Sequence, residues 1–238
     1  MIRKVICFAL VSLFGFSRAV AANYDNFRNL TTGSFRPFAR DIGSLLGSGS
    51  NQTARPLGFA GFDIGVRGVA QFKPSHGNTV LKKNNLFGLG VIQAEIGMPY
   101  RIDGFVRGGT FEGVSVAGGG LRYGLWNVSD EKYKINAILG GMANMAVHRY
   151  FYAIHFNTGL VCSINVPVVS PYLGIGYDFT RLEAQTVLDA ALVGRKISVS
   201  GVRFTVGLRA KLKLGYLAGG LTYTHDRTLA NAGAGFRF

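Results

Sequence analysis

Residues 57–72 read LGFAGFDIGVRGVAQF. From Phe62 onward the even positions Phe62, Ile64, Val66, Ala70 and Phe72 are apolar, whereas the odd positions include Asp63, Arg67 and Gln71. A period of two sends successive side chains to opposite faces of an extended strand. One face of this segment is therefore apolar and the other polar, with charges of both signs. The pattern recurs. Tyr100, Ile102 and Val106 alternate with Arg101, Asp103 and Arg107. Tyr152, Ile154, Phe156, Leu160, Cys162 and Ile164 alternate with His155, Asn157, Ser163 and Asn165, and Val202, Phe204, Val206 and Leu208 with Arg203, Thr205 and Arg209.

Composition narrows what such strands can build. Thirty-four glycines, 18 Phe, 10 Tyr and only six prolines, without a collagen period, indicate many short strands and turns. A soluble sandwich would carry Lys, Glu and Thr on its outer face, but charged residues make up only 16% of this chain. The polar face is thin and rich in glycine, as a barrel interior can be, and the apolar face is long and continuous, as a lipid-facing band must be. A bilayer leaves bare backbone groups unsatisfied, so strands of this kind cross it only as a closed barrel. Ten segments can be drawn, roughly 58–72, 86–97, 99–109, 114–126, 133–147, 150–166, 168–181, 197–210, 212–224 and 228–238. The fold class is all-β, an antiparallel transmembrane barrel of about ten strands. Eight or twelve also fit, because NVSDEK is long for a tight turn and HRY short for an external loop. The longest connections follow the first and seventh segments, on the side opposite the chain ends.

The first residues have another character. A basic start at Arg3 and Lys4, an apolar run from Val5 to Phe16 and small residues at Ala19–Ala21 predict a cleaved export leader over residues 1–21, too short to span a bilayer. Removing it takes Arg3, Lys4 and Arg18 and no acid, so the formal charge of +14 falls by three to +11. Cys7 leaves too, and Cys162 alone forms no intrachain disulfide. Residues 22–56 form an N-terminal segment and 57–238 the barrel. Within the former, Phe35, Phe38, Ala39, Ile42, Leu45 and Leu46 recur at helical spacing and predict one amphipathic helix over 34–47, capped by Ser34, with Pro37 in its first turn and Gly47 at its end. Its expected place is the periplasmic end or the interior of the barrel.

The last eight residues, NAGAGFRF, put Asn231, Gly233, Phe236 and Phe238 in the order polar, glycine, hydrophobic, terminal aromatic. This resembles the terminal signal by which bacterial outer-membrane barrels are recognised by the barrel-assembly machinery. The resemblance implies an outer-membrane location, with that machinery and outer-membrane lipids, lipopolysaccharide among them, as partners. More narrowly, FRPFARDIGSLLGSGSNQTARPLGFAGFDIGVRG, then IGMPYRIDGFVRGG, then VSPYLGIGYDF resemble a family of outer-membrane barrels related to the FadL-type hydrophobic-compound channels.

Catalytic signatures are absent from the sequence. GLGVIQ and GIGYDF lack the third glycine of a dinucleotide loop, and the four histidines, His76, His148, His155 and His225, are too scattered to suggest a metal site. No cofactor is expected. The pairs His225–Asp226 and His155–Ser163 are the only candidates for hydrolytic chemistry. Inward parity instead gathers cations. Arg67, Arg101, Arg107, Arg122, Arg203 and Arg209, with Lys211, Lys213 and Arg237, face Asp63, Glu95, Asp103 and Asp178. Cations spread by strand parity do not suit a nucleic-acid surface. They suit a small channel or passive transporter with a net basic lumen. A closed structural or adhesion barrel acting through its external loops is the alternative, because small barrels are often filled by their own side chains. An outer-membrane hydrolase comes third.

Overall fold

The computed structural model describes residues 24–82, 86–129 and 131–238; the leader assigned to residues 1–21 lies outside them. Ten strands form one closed antiparallel barrel: β1 (Phe62–Gln71), β2 (Phe87–Gly97), β3 (Ile102–Phe111), β4 (Val114–Gly124), β5 (Ile135–His148), β6 (Phe151–Ile164), β7 (Val169–Ala184), β8 (Lys196–Lys211), β9 (Tyr216–Thr224) and β10 (Arg227–Arg237). Each pairs with its neighbours in sequence, and β1 pairs with β10 from Asp63–Arg237 to Gln71–Leu229. Beyond that register, Phe62 and Phe238 exchange both main-chain hydrogen bonds, at 3.0 and 2.8 Å, so residue 238 supplies the last rung of the closing seam.

The alternation read from residues 57–72 is the in-and-out pattern of the wall. Asp63, Arg67 and Gln71 are buried inside, while Phe62, Ile64 and Val66 are exposed outside. The outer surface continues around the barrel through Ile92, Val106, Leu121, Leu139, Ile175 and Val206. Tyr100, Tyr123, Trp126, Tyr133, Phe236 and Phe238 ring the end where the barrel seam begins, and Phe72, Phe179 and Tyr223 lie toward the other. Ten residues in β1 at the usual strand rise and a tilt near 40° span roughly 25 Å, the height of the apolar band of a membrane barrel. Among the described residues no helix is long and apolar enough to cross a membrane.

The two ends differ. At the seam end the connections are residues 98–101, 125–134, 165–168 and 212–215; at the opposite, loop end two are long, 72–86 and 185–195, and the other three have two residues each. Two of the three two-residue turns have both central residues at positive φ: Glu112 at 51° with Gly113 at 81°, and His225 at 50° with Asp226 at 61°. Consecutive positive φ values match the twist of flanking strands. The same geometry occurs at Tyr100 (62°) and Arg101 (64°) between β2 and β3.

The helix, α1 (Thr32–Gly47), begins two residues earlier than the periodicity predicts. Thr31 is its cap and Ser34 the partner in a capping box: each hydroxyl bonds the other residue's main-chain N–H. Pro37 therefore falls in the second turn, where it removes one intrahelical bond. The helix does not sit at the seam end. It starts at the loop end and descends inside the barrel, and residues 48–57 continue through turns and irregular chain to the seam end, where β1 begins. At the loop end Phe27, Phe38 and Phe151 pack with ring centroids 4.9–5.2 Å apart, beside Tyr24 and His148. Lower down, Gly43 lies against Thr180 of β7 and Gly47 against Arg203 and His155. Gly47 is required for this approach and not for a left-handed cap. A Cβ at either glycine would collide with those side chains. Gly47→Val should leave the strands formed and loosen the interior segment by about 1–3 kcal/mol, the usual cost of overpacking. The check is a normal heat-modifiable barrel band in gels together with faster proteolysis between residues 24 and 57; unchanged proteolysis would contradict it.

Candidate functional site: the filled lumen

Inward side chains from β1, β2, β3, β4, β7 and β8 converge on the segment that fills the barrel. Arg203 holds Asp178 through Nε at 2.8 and 3.1 Å and through Nη2, and the same guanidinium donates to the carbonyl of Ser44 at 3.2 Å and to the Ser48 hydroxyl. Asp178 also accepts from Asn157 Nδ2 at 2.6 Å. One layer toward the seam end, Glu95 accepts from Arg122 at 2.7 Å, Arg67 at 3.2 Å and Gln93 at 2.6 Å. Arg122 and Gln93 in turn donate to the carbonyl of Ser50 at 2.7 and 3.0 Å. Among the described residues no carboxylate pairs with Arg107; it donates to the carbonyl of Ser48 at 3.4 Å and stands 4.0 Å from Met142 Sδ. Asn144 donates to the carbonyl of Leu46 at 3.0 Å.

A third layer closes the seam end. Asp63 accepts from Arg209 at 3.3 Å and from the Tyr216 hydroxyl at 2.7 Å, and the Arg209 guanidinium lies over the Tyr216 ring, 3.5 Å from its centroid. Asp103 takes the main-chain N–H of Leu57 at 3.0 and 3.1 Å, Ser163 that of Ala54 at 3.0 Å, and Arg237 donates to the carbonyls of Arg55 and Pro56. At the loop end Asp41, fully buried, accepts from Gln71, Asn78 and both donors of Ser75, with distances of 2.6–3.1 Å, and so fastens the 72–86 connection to α1.

Of the cations expected at the lumen, Arg67, Arg107, Arg122, Arg203 and Arg209 are brought together inside, and Arg67 is only 2% exposed. Arg101 is not among them. It occupies the left-handed turn after β2, where strand parity does not apply, and bonds the Tyr123 hydroxyl and the carbonyl of Leu125 on the outside. Asn231 and Gly233 point inward: Asn231 donates to Thr222 and accepts from Tyr172, and Gly233 leaves room for Gln52 of the interior segment. Phe236 and Phe238 point outward and are exposed. Gln93, Asn144 and Tyr216 join the site, and the parity that marks Glu95 also places Gln93 inside.

The pair His155–Ser163 does not assemble. His155 and Ser163 lie eight residues apart on β6, roughly 26 Å at the strand rise. Buried His155 instead meets the Thr180 hydroxyl through Nδ1 at 2.8 Å. His225 is in the β9–β10 turn, where burial, reinforced by Arg203 and Arg40 and opposed by Asp178 and Asp226, lowers its affinity for a proton. Among the described residues no group of three His, Cys, Asp or Glu is arranged to hold a metal ion.

Because Asp178 and Arg203 compensate each other out of water, Arg203→Met should cost about 3–5 kcal/mol by leaving an unpaired buried carboxylate. The double variant Asp178→Leu with Arg203→Met should recover much of that loss. Thermal unfolding of the four proteins in detergent completes the cycle, and additive losses would show that the pair is not coupled.

No protein-family model matches this sequence, and no curated protein is significantly similar to it. Among solved structures, the crystal structure of Neisserial surface protein A (NspA) is 11% identical, covers 74% of this chain and 94% of its own, and superposes with a TM-score of 0.29. A structure described as "Asymmetric conductivity of engineered proteins" is 8% identical, covers 75% and 99%, and gives a TM-score of 0.23. The assignment of the fold rests on the strand pairing of this chain itself.

Proposed function

We propose that this is a closed barrel of the bacterial outer membrane, held shut by its own N-terminal segment, that acts through the surface at its loop end and not as a standing conduit. The observation that carries this reading is the course of residues 32–57, which occupy the lumen from one end to the other and take the wall arginines as hydrogen-bond donors. A loop-end surface that is itself tied together supports a recognition or adhesion role. The Leu188 N–H donates to the carbonyl of Arg28 at 2.8 Å, Arg149 pairs with Asp25, and Asp41 pins the 72–86 connection. The outward apolar band and its aromatic ends support the membrane placement. With the longer loops outside, the seam end faces the periplasm, and lipopolysaccharide is the lipid that would meet the loop-end rim.

A gated channel is the second reading, favoured by the polarity of the wall behind the plug. Arg67, Arg107 and Arg203 would line a wettable, net basic passage if the segment left. It would also accommodate the resemblance to FadL-type channels. Planar-bilayer recording separates the two. The intact protein should give no conductance steps, and a folded deletion of residues 24–56 should give steps that prefer anions, with Arg67, Arg107 and Arg203 replaced by Gln shifting the reversal potential toward cations. Steady conductance from the intact protein would overturn the closed reading.

The closing seam carries a separate expectation for biogenesis. Deleting Phe238 removes both hydrogen bonds to Phe62 and the last outward aromatic, and should slow insertion while leaving synthesis and export intact. Fractionation should find the truncated chain in the periplasm or degraded; full outer-membrane levels would refute a role for this residue in assembly.

A further inference from the structure

The loop end carries a basic platform. Arg28 and Arg36 stand on the N-terminal segment where it enters the barrel mouth, Lys73 and Lys82 on the connection after β1, and Arg195 on the connection after β7; all five are exposed. Among the described residues none of these side chains has an ion pair or a hydrogen bond. The exposed carboxylates of this end are each engaged: Asp25 by Arg149, Asp189 by the Ala191 N–H at 3.0 Å and Asp226 by the Tyr223 hydroxyl at 3.3 Å. Positive charge is therefore in excess over this surface, and the three chain segments that carry it are packed as one. Leu30 of the N-terminal segment, Val80 and Leu81 of the first connection and Leu192 of the other share a single buried apolar cluster. The Leu188 N–H bonds the carbonyl of Arg28 at 2.8 Å, and Asn78, itself held by Asp41, accepts the N–H groups of Val80 and Leu81 at 2.9 and 3.2 Å. Bracing of this kind holds the cation-bearing backbones in one arrangement, as separate loose loops would not.

We propose that this platform binds an extended acidic polysaccharide. The inference rests on the reading of the loop end as the working surface of the barrel and names its partner. A single exposed ion pair contributes little in water. Five separate exposed cations therefore hold firmly only a ligand that presents several anionic groups along its length, each contact raising the effective concentration of the next. Sulfate or carboxylate groups spaced along a sugar chain meet that requirement. The position of the charge separates this partner from a lipid headgroup, because Arg28 and Arg36 belong to the segment enclosed by the ring of strands, set in from the lipid around the barrel. Single-stranded nucleic acid is held by stacking on exposed rings, whereas Tyr24, Phe27, Phe38 and Phe151 of the cap are buried against one another.

Dextran sulfate and neutral dextran of equal length are the probes, titrated against the folded protein in a nonionic detergent. Saturable binding of dextran sulfate, weakened by added salt, is expected, with none of neutral dextran. Arg28→Gln, Lys73→Gln and Arg195→Gln combined should weaken binding about tenfold, roughly twofold to threefold for each exposed contact. These side chains have no partner to lose, so the barrel band in gels should stay heat-modifiable. Lys132→Gln, Lys134→Gln and Lys213→Gln combined remove the same charge from the seam end and should bind as the parent does. Absence of saturable binding, equal weakening by the two triple variants, or equal affinity for neutral dextran would overturn the proposal. So would a loss confined to Arg181→Gln with Lys196→Gln, at outward positions of β7 and β8, because it would assign the basic surface to a lipid headgroup. Steady conductance of the intact protein would overturn the closed-barrel reading and leave the titration standing; a failed titration with a silent barrel overturns this inference alone.

Discussion

Guanidinium groups of the wall donating to main-chain carbonyls of the plug are the contacts on which the arrangement depends. An α-helix that stops in mid-lumen leaves its last carbonyls without intrahelical partners and gathers partial negative charge at that end. Here the end of α1 is buried, and the acceptors at residues 44, 46, 48 and 50 are met by Arg203, Asn144, Arg107 and Arg122. The wall has the reciprocal need. Arginines enclosed in a barrel require acceptors, since burying an uncompensated charge costs far more than any single contact returns. Asp178, Glu95 and Asp63 supply part of that compensation, and the plug backbone supplies the rest. Neither wall nor plug is satisfied alone.

Small inward residues of the wall give the helix its place in the loop-end half of the lumen. A helix with side chains is about 10–12 Å across, and the loop-end half of the wall makes room with Ala146, Ala153 and Thr180 at inward positions. Gly43 and Gly47 then bring the helix against β7 and β8. Toward the seam end the inward positions include Phe105, Ile138, Tyr172 and Tyr216, all buried. Beyond Gly47 the chain continues through turns and irregular structure, and its backbone donors at Ala54 and Leu57 find Ser163 and Asp103.

Much of the wall was legible in sequence because period-two alternation is a local signal. Odd positions of β1 and β3 and most of the inward cations follow from it directly; the count from sequence is about ten with eight or twelve still fitting, and strand pairing makes it ten. Arg101 was misread because a left-handed turn interrupts the alternation one residue before β3 starts. The long connections after β1 and β7 were found, but two-residue turns at the same end were harder to see, since Glu112, His225 and Asp226 hold positive φ without the Asn-Gly pair that usually announces it. The helix itself was visible in its apolar spacing. Its position was not, because the pairing of Arg203 with residues 44 and 48 joins parts of the chain separated by more than 150 residues. Parity says that a cation points inward; it says nothing of what meets it there.

That limit explains how an arginine-rich interior can belong to a closed barrel. A chain that must be exported before it inserts cannot afford long uninterrupted apolar runs, which would be held in the first membrane it meets as a helix. Polar residues at every second position avoid this, and they commit the finished barrel to a polar interior whether or not it conducts. For a chain that takes that route, inward charge is compatible with a closed barrel as well as with a conduit, and what else enters the lumen separates the two. In this chain the residues preceding β1 enter it, with a capped helix, small residues where the wall is close and backbone acceptors where the wall is cationic.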